Sequence, residues 1–555
     1  MFKNVIKIKN QTVIQIENEF KKNLLDGNFF PAFQFEGKKI KGILTLGDLR
    51  RLIKRGKLEE KAKKFINKRP VYFYQKDLNN DLINNIKSRI KDKNLKNIDD
   101  IILVDKSKRL LDIFKFNDLK NSFKYKKICV VGAGHIGLPL TIFLSLKTSG
   151  VNLYDKDKKK INLLKKNKFN FYEKNLDKFL ISENSKKKIN YASDIKTLNS
   201  QIYIVCVGTI LKKNKVCDNK LIINVIKQIS KVLKPDDIII LRGTVQVGFT
   251  SNIAKKIIEE NSNFKVGKNV YLGFMPERLL EGDSLNELNS LPQIISGVTN
   301  NCLIQIKEFS SGYFNRTIVA KSTEEAEIIK LCSNSFRDLN FSFANEISRL
   351  CEYYNLSANE LIEKSNFGYS RNNIPLPSIG VGGFCLPKDP YIFSKLINKK
   401  KGYKLSHISR EINDHSIDQA INKLSTLKQK YFNKANKLKM LILGVAFKGL
   451  PETIDLRNSP SINIYESLKK KYDINLYDIN GQILRKYFNF KKLIMKPNLN
   501  SYDLVLIINK HPHYSDLFFK NVKKNTSKKD KILFDPWNIA DKKVCKSVNW
   551  LHVTI

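Results

Sequence analysis

The stretch KICVVGAGHIGLPLTIFLSL, residues 127–146, decides the fold of the larger part of this 555-residue chain. An apolar run leads into a glycine-rich turn, and a segment with a helical pattern follows. Gly132, Gly134 and Gly137 have the spacing GxGxxG, which indicates a dinucleotide-binding turn only between a strand and a helix. Both flanking patterns are present. The stretch therefore predicts a turn at which the backbone approaches a pyrophosphate and the helix N-terminus binds it.

The strand pattern that follows, VNLYD, ends at Asp155. A carboxylate at this distance from the turn binds the ribose hydroxyls of the adenosine, and it repels a 2′-phosphate. The sequence therefore predicts NAD as the cofactor, in preference to NADP. The alternative is a glycine turn that serves only packing, and the combination of strand, helix and acid argues against it.

Strand patterns recur at QIYIVCVG, DDIIILRGTV and NVYLGFMP, with helical stretches between them. Such alternation predicts a parallel, doubly wound sheet. A long helical pattern over about 323–367 begins at Ser322, which acids follow in the first turn. KLKMLILGVAFKG opens another α/β unit, which runs to the C-terminus. Its strands are expected near 473–478, 503–508 and 531–535.

Residues 1 to about 122 contain an internal repeat. FPAFQFEGKKIKGILTLGDLRRLIKRG is typical of two strands and a helix opening at Asp48, and DDIILVDKSKRLLDIFKFNDLK repeats that layout with Asp118. GILTLGD resembles the end of a CBS motif, which implies that Thr45 and Asp48 hold an adenine nucleotide. The second copy has Asp112 and Lys115 where the motif has Gly and Thr. A module that only packs or dimerises is the alternative.

The charge balance and the cysteines exclude several function classes. There are 100 Lys and Arg against 53 Asp and Glu, a net charge of +47. The lysines are scattered and lack interleaved stacking aromatics, so we expect attraction of phosphorylated small molecules and no nucleic-acid partner. The 8 cysteines include no CxxC, and no metal site is expected. No signal peptide or membrane-spanning run is found, which favours a cytoplasmic protein.

Six blocks, in the order of the family, resemble the nucleotide-sugar 6-dehydrogenases that act on UDP-glucose and UDP-N-acetylhexosamines. They are GAGHIGLPL (132–140), RGTVQVG (242–248), PERLLEG (276–282), AEIIKLCSNSFRD (326–338), GVGGFCLPKDP (380–390) and GVAFKGLPETIDLRNSP (444–460). The resemblance implies an α/β protein with two Rossmann-like doubly wound domains joined by a long helical central region, beside the N-terminal CBS-type module. The expected domains are a CBS-type pair at 1–122, an NAD-binding domain at 123–318, a central dimerisation region at 319–435 and a UDP-sugar-binding domain at 436–555.

The resemblance implies oxidation of a UDP-sugar C6 hydroxyl to the UDP-uronic acid, for surface polysaccharide. The intermediate aldehyde cannot donate a hydride until a nucleophile adds to it, and a thiolate can add to give a thiohemiacetal and then a thioester. Cys385 is the expected nucleophile, on a loop whose glycines let the thiol lie against a sugar. Lys388 and the nearby helix could favour the thiolate. A cysteine that merely fills a turn is the alternative.

Further catalytic roles come from the resemblance. Lys330 and Asn334 are four residues apart on one helix face, and the family uses this pair to stabilise negative charge on the C6 oxygen. Asp389 matches the carboxylate that works with a bound water as base, and Thr244 matches the residue that holds this water.

Glu277 matches the acid that activates water against the thioester, and Glu281 is expected one helical turn further on, near the nicotinamide. Other implied cofactor contacts are His135, Ile136, Lys160, Thr209 and Arg457, the last of which a neighbouring subunit could supply. Implied substrate contacts are Arg371 from across a dimer interface, Gly380, Gly382, Phe447 and Lys448. Trp537 replaces an arginine that relatives often carry after the last strand.

The choice of sugar is less strongly marked. PER at 276–278 and FRD at 336–338 favour UDP-ManNAc or UDP-GlcNAc, whereas LLEG at 279–282 is typical of the UDP-glucose enzymes, the alternative. A two-electron hydroxyacid dehydrogenase would not need Cys385. A catalytically silent nucleotide sensor would be expected to lose a residue of the catalytic set. A homodimer or a higher homo-oligomer is expected.

Overall fold

The computed structural model of this chain describes residues 6–24, 31–68, 70–74, 100–115, 127–212, 214–395, 404–432, 437–488, 490–526 and 530–554. The chain divides into two compact units, Met1–Lys124 and Tyr125–Ile555. Each unit has hydrophobic clusters of its own. No helix in the described ranges is both long and apolar enough to cross a membrane.

The smaller unit repeats one strand-pairing pattern. Its strands are β1 (Ala32–Glu36), β2 (Lys39–Leu44), β3 (Tyr72–Tyr74), β4 (Asp100–Val104) and β5 (Leu110–Lys115). Its helices are Val13–Leu24, Leu46–Lys54 and the 3₁₀ turn Ala62–Phe65. In the first half, Lys7 pairs in parallel with Phe33 of β1, and β1 pairs antiparallel with β2. In the second half, β3 pairs in parallel with β4, and β4 pairs antiparallel with β5.

The expected helix start at Asp48 is wrong by two residues, because the helix begins at Leu46 with Thr45 as its N-cap. Thr45 and Asp48 form a capping box, in which the Thr45 hydroxyl and backbone N–H both donate to the Asp48 carboxylate, at 2.7 and 3.0 Å. Arg51 also pairs with Asp48 at 2.5 Å. These polar atoms therefore stabilise the helix start. Asp118 lies outside the described residues.

The first sheet of the larger unit has the strand order of a dinucleotide-binding domain. Its strands are β6 (Ile128–Val131), β7 (Val151–Tyr154), β8 (Ile189–Ala192), β9 (Ile202–Val205), β12 (Ile238–Leu241), β13 (Tyr271–Phe274), β14 (Gln293–Gly297) and β15 (Thr317–Val319), with β10 (Ile210–Leu211) and β11 (Cys217–Asp218) as a separate hairpin. The order is β15-β14-β13-β12-β9-β6-β7-β8. The strands from β8 to β13 are parallel and the order reverses between β6 and β9, where such sheets bind ligands. Among the described strands of this sheet, only the pairing of β13 with β14 departs from the expected parallel arrangement, since it is antiparallel.

Helices cover both faces of this sheet, so its central strands are buried throughout. They are Gly137–Ser145, Lys158–Lys165, Leu176–Ser185, Lys220–Ser230, Lys255–Asn261, Ser284–Ser290 and Asn300–Tyr313, with a 3₁₀ turn at Ile195–Thr197 and a π-helical stretch at Phe249–Ala254.

The central region is built on the helix Thr323–Tyr353, which we call the long helix. Ser322 caps its N-terminus by accepting a hydrogen bond from the Glu325 backbone N–H. The helical run expected over 323–367 is interrupted, because the long helix ends at Tyr353 and a second helix, Ala358–Asn366, begins after its own N-cap. The long helix packs against Asp389–Ser394 and Leu405–Tyr431.

The C-terminal sheet is smaller and parallel. Its strands are β16 (Leu438–Leu443), β17 (Tyr472–Tyr477), β18 (Leu504–Ile507), β19 (Ile532–Phe534) and β20 (Leu551–Val553), and its helices are Pro460–Leu468, Gly481–Tyr487, Leu499–Ser501, Pro512–Asn521 and Lys542–Ser547. The order β17-β16-β18-β19-β20 reverses between β16 and β18. A second ligand crevice is therefore expected at the carboxyl ends of these two strands.

Candidate active site

The predicted glycine turn is built at the carboxyl end of β6. Gly132 has a φ of +104°, and a Cβ at Gly137 would lie 1.7 Å from the Gly132 carbonyl oxygen, so a larger residue cannot replace either glycine. A Cβ at Gly134, in contrast, would meet nothing within 4 Å. The helix starts immediately after Ile136. This open backbone leaves room for a pyrophosphate beside the helix N-terminus.

Asp155 lies at the end of β7 beside this turn. Its carboxylate accepts hydrogen bonds from the Ala133 and Asp157 backbone N–H groups, at 2.9 and 3.0 Å, and from Lys160 Nζ at 2.9 Å. Burial alone would raise the pKa of Asp155, but these bonds outweigh it and the pKa is lowered. An ionised carboxylate is therefore held where the ribose of NAD is expected. The turn and this acid fit the cofactor.

The loops after β9 and β12 lie side by side at the same edge of the sheet. The backbone N–H and the hydroxyl of Thr209 donate to the Thr244 carbonyl oxygen, at 3.1 and 3.0 Å. A Cβ at Gly243 would lie 2.5 Å from the Val207 carbonyl oxygen, so the loops touch through their backbones. Two of the predicted site residues, Thr209 and Thr244, are thereby brought together.

Cys385 lies in the turn that leads into the short helix Asp389–Ser394, and its carbonyl oxygen accepts hydrogen bonds from the Lys388 and Asp389 backbone N–H groups, at 3.1 and 2.9 Å. Gly380 and Gly382 before it line the cavity described below and are also tightly packed on their other sides. A Cβ at Gly382 would lie 2.4 Å from the Asn458 carbonyl oxygen, and one at Gly380 would lie 2.8 Å from Ile417. These glycines also let the cysteine loop pack against the segments around it.

Buried polar side chains surround the thiol. Asn334 Nδ2 donates to the Asp389 carboxylate at 2.6 Å, and Lys388 Nζ lies 2.5 Å from its other oxygen. Lys330 Nζ donates to the Glu277 carbonyl oxygen and lies 3.8 Å from the Glu277 carboxylate. The structure therefore brings the predicted oxyanion pair, base and hydrolytic acid to one place, from three distant segments of the chain.

The charges around Cys385 do not offset the effect of its burial. Burial raises the pKa of the Cys385 thiol, and the opposing effects of Lys330 and Lys388 do not outweigh it. Lys388 is also paired directly with Asp389. At Lys330 burial would lower the pKa, but Glu277, Cys385 and Asp389 outweigh it and the pKa is raised. The pKa values of both groups, the Cys385 thiol and the Lys330 ammonium, are therefore raised.

The expected helical turn between Glu277 and Glu281 is wrong. This segment has no helix and ends in a turn at Gly282, whose φ is +96°. Glu277 points to Lys330, whereas Glu281 accepts from the Thr453 hydroxyl at 2.6 Å. Lys448 Nζ donates to the Glu281 carbonyl oxygen at 2.6 Å. The two glutamates therefore belong to different parts of the site.

Glu281 belongs to a cluster of polar side chains with His135, Asp455 and Arg457. Ligand atoms of His135, Glu281 and Asp455 lie within 4.8 Å of one another, which is close enough to consider a metal. Arg457 already binds Asp455 through Nε and Nη2, at 2.8 and 2.6 Å, and supplies the positive charge. Burial, together with Arg457, lowers the pKa of His135 to about 4, so its imidazole is neutral. Arg457 reaches this cluster from the same chain.

We expect Glu281 to make stability depend on pH. Burial and the Asp455 charge raise the pKa of Glu281 from 4.5 to about 7. The folded protein therefore holds this proton more tightly than the unfolded chain, and stability should fall as pH rises from about 4.5 to 7. The part of this fall that is due to Glu281, at most roughly 2–3 kcal/mol, should be lost in Glu281→Gln, whereas the parts due to Glu327 and Asp338, with pKa values raised to about 7 and about 6, remain. Unfolding free energies across this range test it, with Glu363→Gln, at an exposed glutamate, as control. Parallel curves for wild type and Glu281→Gln would contradict it.

A cavity of about 640 Å³ lies at the carboxyl ends of β16, β18 and β19, where the second crevice is expected. The cysteine loop forms one wall, with Gly380, Gly382 and Leu386. The opposite wall comes from the C-terminal sheet and includes Phe447, Lys448, Ile508 and Trp537. The volume suits a ligand of nucleotide-sugar size.

Three polar residues of this cavity were not predicted from the sequence as contacts. Arg337 and Lys510 line it, and neither side chain has a hydrogen bond or ion pair with any described residue. Ser378 is 7% exposed, and its hydroxyl lacks a partner within the described part of the chain. Arg337 could have been found, because it lies seven residues after Lys330 on the long helix. The cavity thus offers free cations and an unpaired hydroxyl to an anionic, polar ligand.

Two buried glutamates hold site segments in place and were also missed. Glu327 accepts from the backbone N–H groups of Gly248 and Thr250, at 2.6 and 3.0 Å, and so ties the segment after Thr244 to the long helix. Glu173 accepts from the Gly282 backbone N–H at 3.0 Å. Arg371, in contrast, is exposed, stacks on Tyr369 and does not line the cavity.

Comparison with known proteins identifies the family. Three sequence profiles of the UDP-glucose/GDP-mannose dehydrogenase family match in order: the NAD binding domain at 126–332, the central domain at 324–415 and the UDP binding domain at 441–542. The UDP-N-acetyl-D-mannosamine dehydrogenase of Methanocaldococcus jannaschii is 28% identical over 427 residues, which cover 76% of this chain and 94% of that protein. The corresponding enzyme of Escherichia coli K12 is 26% identical and covers 68% of this chain and 86% of its own length.

Solved structures agree with this assignment. A UDP-D-ManNAc dehydrogenase from Pyrococcus horikoshii superimposes with a TM-score of 0.67 at 26% identity and covers 77% of this chain and 99% of that one. A UDP-glucose dehydrogenase from Pyrobaculum islandicum, at 19% identity, has the same fold with a TM-score of 0.64 over 77% of this chain and 98% of that one. The chain therefore belongs to the UDP-glucose/GDP-mannose dehydrogenase family and is an NAD-dependent nucleotide-sugar 6-dehydrogenase.

Proposed function

We propose that this enzyme oxidises the C6 hydroxyl of a UDP-N-acetylhexosamine, with UDP-ManNAc as the first candidate, to the uronic acid through a covalent intermediate on Cys385. The observation that carries the proposal is the buried group of Lys330, Asn334, Asp389 and Glu277 around the thiol, beside the cavity. Relatives named UDP-N-acetyl-D-mannosamine dehydrogenases support the choice of sugar. UDP-glucose is the second candidate, because Glu281 is typical of the enzymes that use it.

In the first oxidation, Asp389 accepts the proton of the C6 hydroxyl through a water that Thr244 helps to hold. Asn334 and Lys388 fix both oxygens of the Asp389 carboxylate, so the base has one orientation. NAD, which the glycine turn and Asp155 would hold, would supply the hydride acceptor for each of the two oxidations. The Lys330 ammonium stabilises the negative charge that develops on the C6 oxygen.

In the second stage, Cys385 forms a C–S bond to the aldehyde carbon and loses its proton as it attacks. The carbonyl oxygen takes up a proton and becomes the hydroxyl of a thiohemiacetal, and loss of the hydride from its carbon and of the hydroxyl proton to water then leaves a thioester. Water then adds with Glu277 as base, the C–S bond breaks, and the uronate and the free thiol are released. Because the thiol pKa is raised at rest, we assign Lys330 to stabilise the sulfur anion during the attack.

The sugar is tested by comparing kcat/KM for UDP-ManNAc, UDP-GlcNAc and UDP-glucose. We expect UDP-ManNAc to exceed the others by at least about tenfold, as a pocket that hydrogen-bonds one substituent rejects an analogue lacking it. A higher kcat/KM for UDP-glucose would instead support UDP-glucose, the second candidate, as the substrate. Activity with none of the three would contradict the proposed reaction.

We further propose that the long helix carries a homodimer interface. Phe336, Phe343 and Leu350 are 63%, 51% and 58% exposed, and their spacing of seven residues puts them on one stripe. Exposed Arg371 could then reach a partner's cavity. Light scattering should give twice the chain mass of 64.1 kDa, and Phe343→Glu should shift it toward that of one chain. A fully active monomeric wild type would contradict the interface.

For the smaller unit we propose, from its repeat and from TLGD at 45–48, that it binds an adenine nucleotide and adjusts activity. A ligand would have to share Thr45 and Asp48 with the capping box. This is tested by calorimetric titration of AMP and ATP into the full chain and, for comparison, into an Asp48→Asn variant. Absence of heat, or unchanged affinity in the variant, would leave the unit with a packing role.

A further inference from the structure

We propose that Trp537 is the platform on which the nucleotide base of the substrate stacks. The inference rests on the proposed use of the cavity by a nucleotide-sugar. Trp537 follows β19 at the carboxyl edge of the C-terminal sheet and lines the wall opposite the cysteine loop. This chain therefore presents an aromatic ring to the cavity at this position.

The indole is held in one orientation before any ligand arrives. Its Nε1–H donates to the Ile508 carbonyl oxygen at 2.8 Å, and the half-buried ring packs against a core cluster that includes Tyr514. The preceding carbonyl, of Pro536, accepts from Asn359 Nδ2 at 3.1 Å. A ring fixed in this way loses little conformational freedom when a ligand binds.

The same hydrogen bond decides how the ring can act. Because Nε1–H is already donated to Ile508, Trp537 offers a ligand its π face and no hydrogen bond. Stacking on such a face takes any base. Specificity for a pyrimidine must therefore come from other groups of the cavity.

The position of Trp537 also determines the orientation in which the substrate lies in the cavity. The sugar carbon that reacts must reach Cys385, so the sugar lies at the wall formed by Gly382 and Leu386. The diphosphate then lies between the walls, within reach of Lys448 and Lys510, and the base arrives at Trp537. The cavity thus binds the nucleotide-sugar with its two ends on opposite walls.

Tryptophan fluorescence tests the stacking directly, because the chain contains only 2 tryptophans. Trp550 is 3% exposed, belongs to the core and does not line the cavity. UDP and uridine should quench the indole emission of the full-length wild type and of Trp550→Phe. They should not quench that of Trp537→Phe. Ribose 5-phosphate, which has no base, should quench none of them.

The binding affinity for UDP provides a second test. Calorimetry with UDP should show about 10- to 100-fold weaker binding to Trp537→Ala and only a few-fold change for Trp537→Phe, which keeps an aromatic face. The KM for the UDP-sugar should rise with kcat nearly unchanged. UDP that binds wild type and Trp537→Ala equally, or quenching that persists in Trp537→Phe, would overturn the platform. UDP that does not bind wild type at all would instead overturn the proposed use of the cavity.

Discussion

Replacing Cys385 by alanine is expected to lower steady-state turnover of the UDP-sugar by about 10³-fold or more. Without a nucleophile the aldehyde formed in the first oxidation cannot become a thiohemiacetal, so the second hydride is not lost at a useful rate. The first oxidation needs Asp389 and Lys330 and should survive. Stopped-flow measurement of NADH should therefore show one turnover per active site, followed by almost no steady state.

The matched control for this variant is Cys332→Ala, which removes an exposed thiol from the long helix. It should retain wild-type turnover. Steady-state turnover of Cys385→Ala within tenfold of wild type would contradict the covalent role. Cys385 would then be a residue that only fills a turn. Loss of the first NADH as well would place the cysteine in the first oxidation.

Lys330→Met is expected to lower kcat by about 10²- to 10³-fold, with a smaller change in KM. Lys330 is the buried ammonium beside Cys385, and its raised pKa keeps it charged. Its contribution should appear mainly in the transition state, when charge forms on the C6 oxygen. Initial rates and single-turnover kinetics measure this loss, and Lys364→Met, at an exposed lysine on the neighbouring helix, should leave the rates unchanged.

The same substitution also removes the ion-pair partner of Glu277. A buried carboxylate left without its cation destabilises the fold, so thermal unfolding must be measured on the same preparation. The proposed role predicts a large loss of kcat in protein that is still folded at the assay temperature. A folded Lys330→Met enzyme with kcat near that of wild type would contradict it.

The sequence was most informative where the structure is local. The GxGxxG turn and Asp155 follow from a strand, glycines and an acid within a short stretch, and the structure places them as predicted. Lys330 and Asn334 share a helix face for the same reason. The strand order of each sheet, however, comes from pairings between distant segments.

The wrong predictions also have physical causes. The four-residue spacing of Glu277 and Glu281 suggested one helix face, but the backbone there is irregular and Gly282 ends it in a turn. The sequence left the protonation of Cys385 open, because its burial and the pairing of Lys388 with Asp389 arise from tertiary contacts. Arg337, Lys510 and Ser378 meet only because the long helix, the cysteine loop and the C-terminal sheet enclose one cavity.

The most direct test of the account is the number of NADH molecules formed for each UDP-sugar consumed by the wild-type enzyme, with UDP-ManNAc and excess NAD. The covalent route through Cys385 predicts two NADH for each sugar and a uronic acid product. One NADH for each sugar, with an aldehyde released, would show that oxidation stops after one hydride transfer and would contradict the proposed role of Cys385.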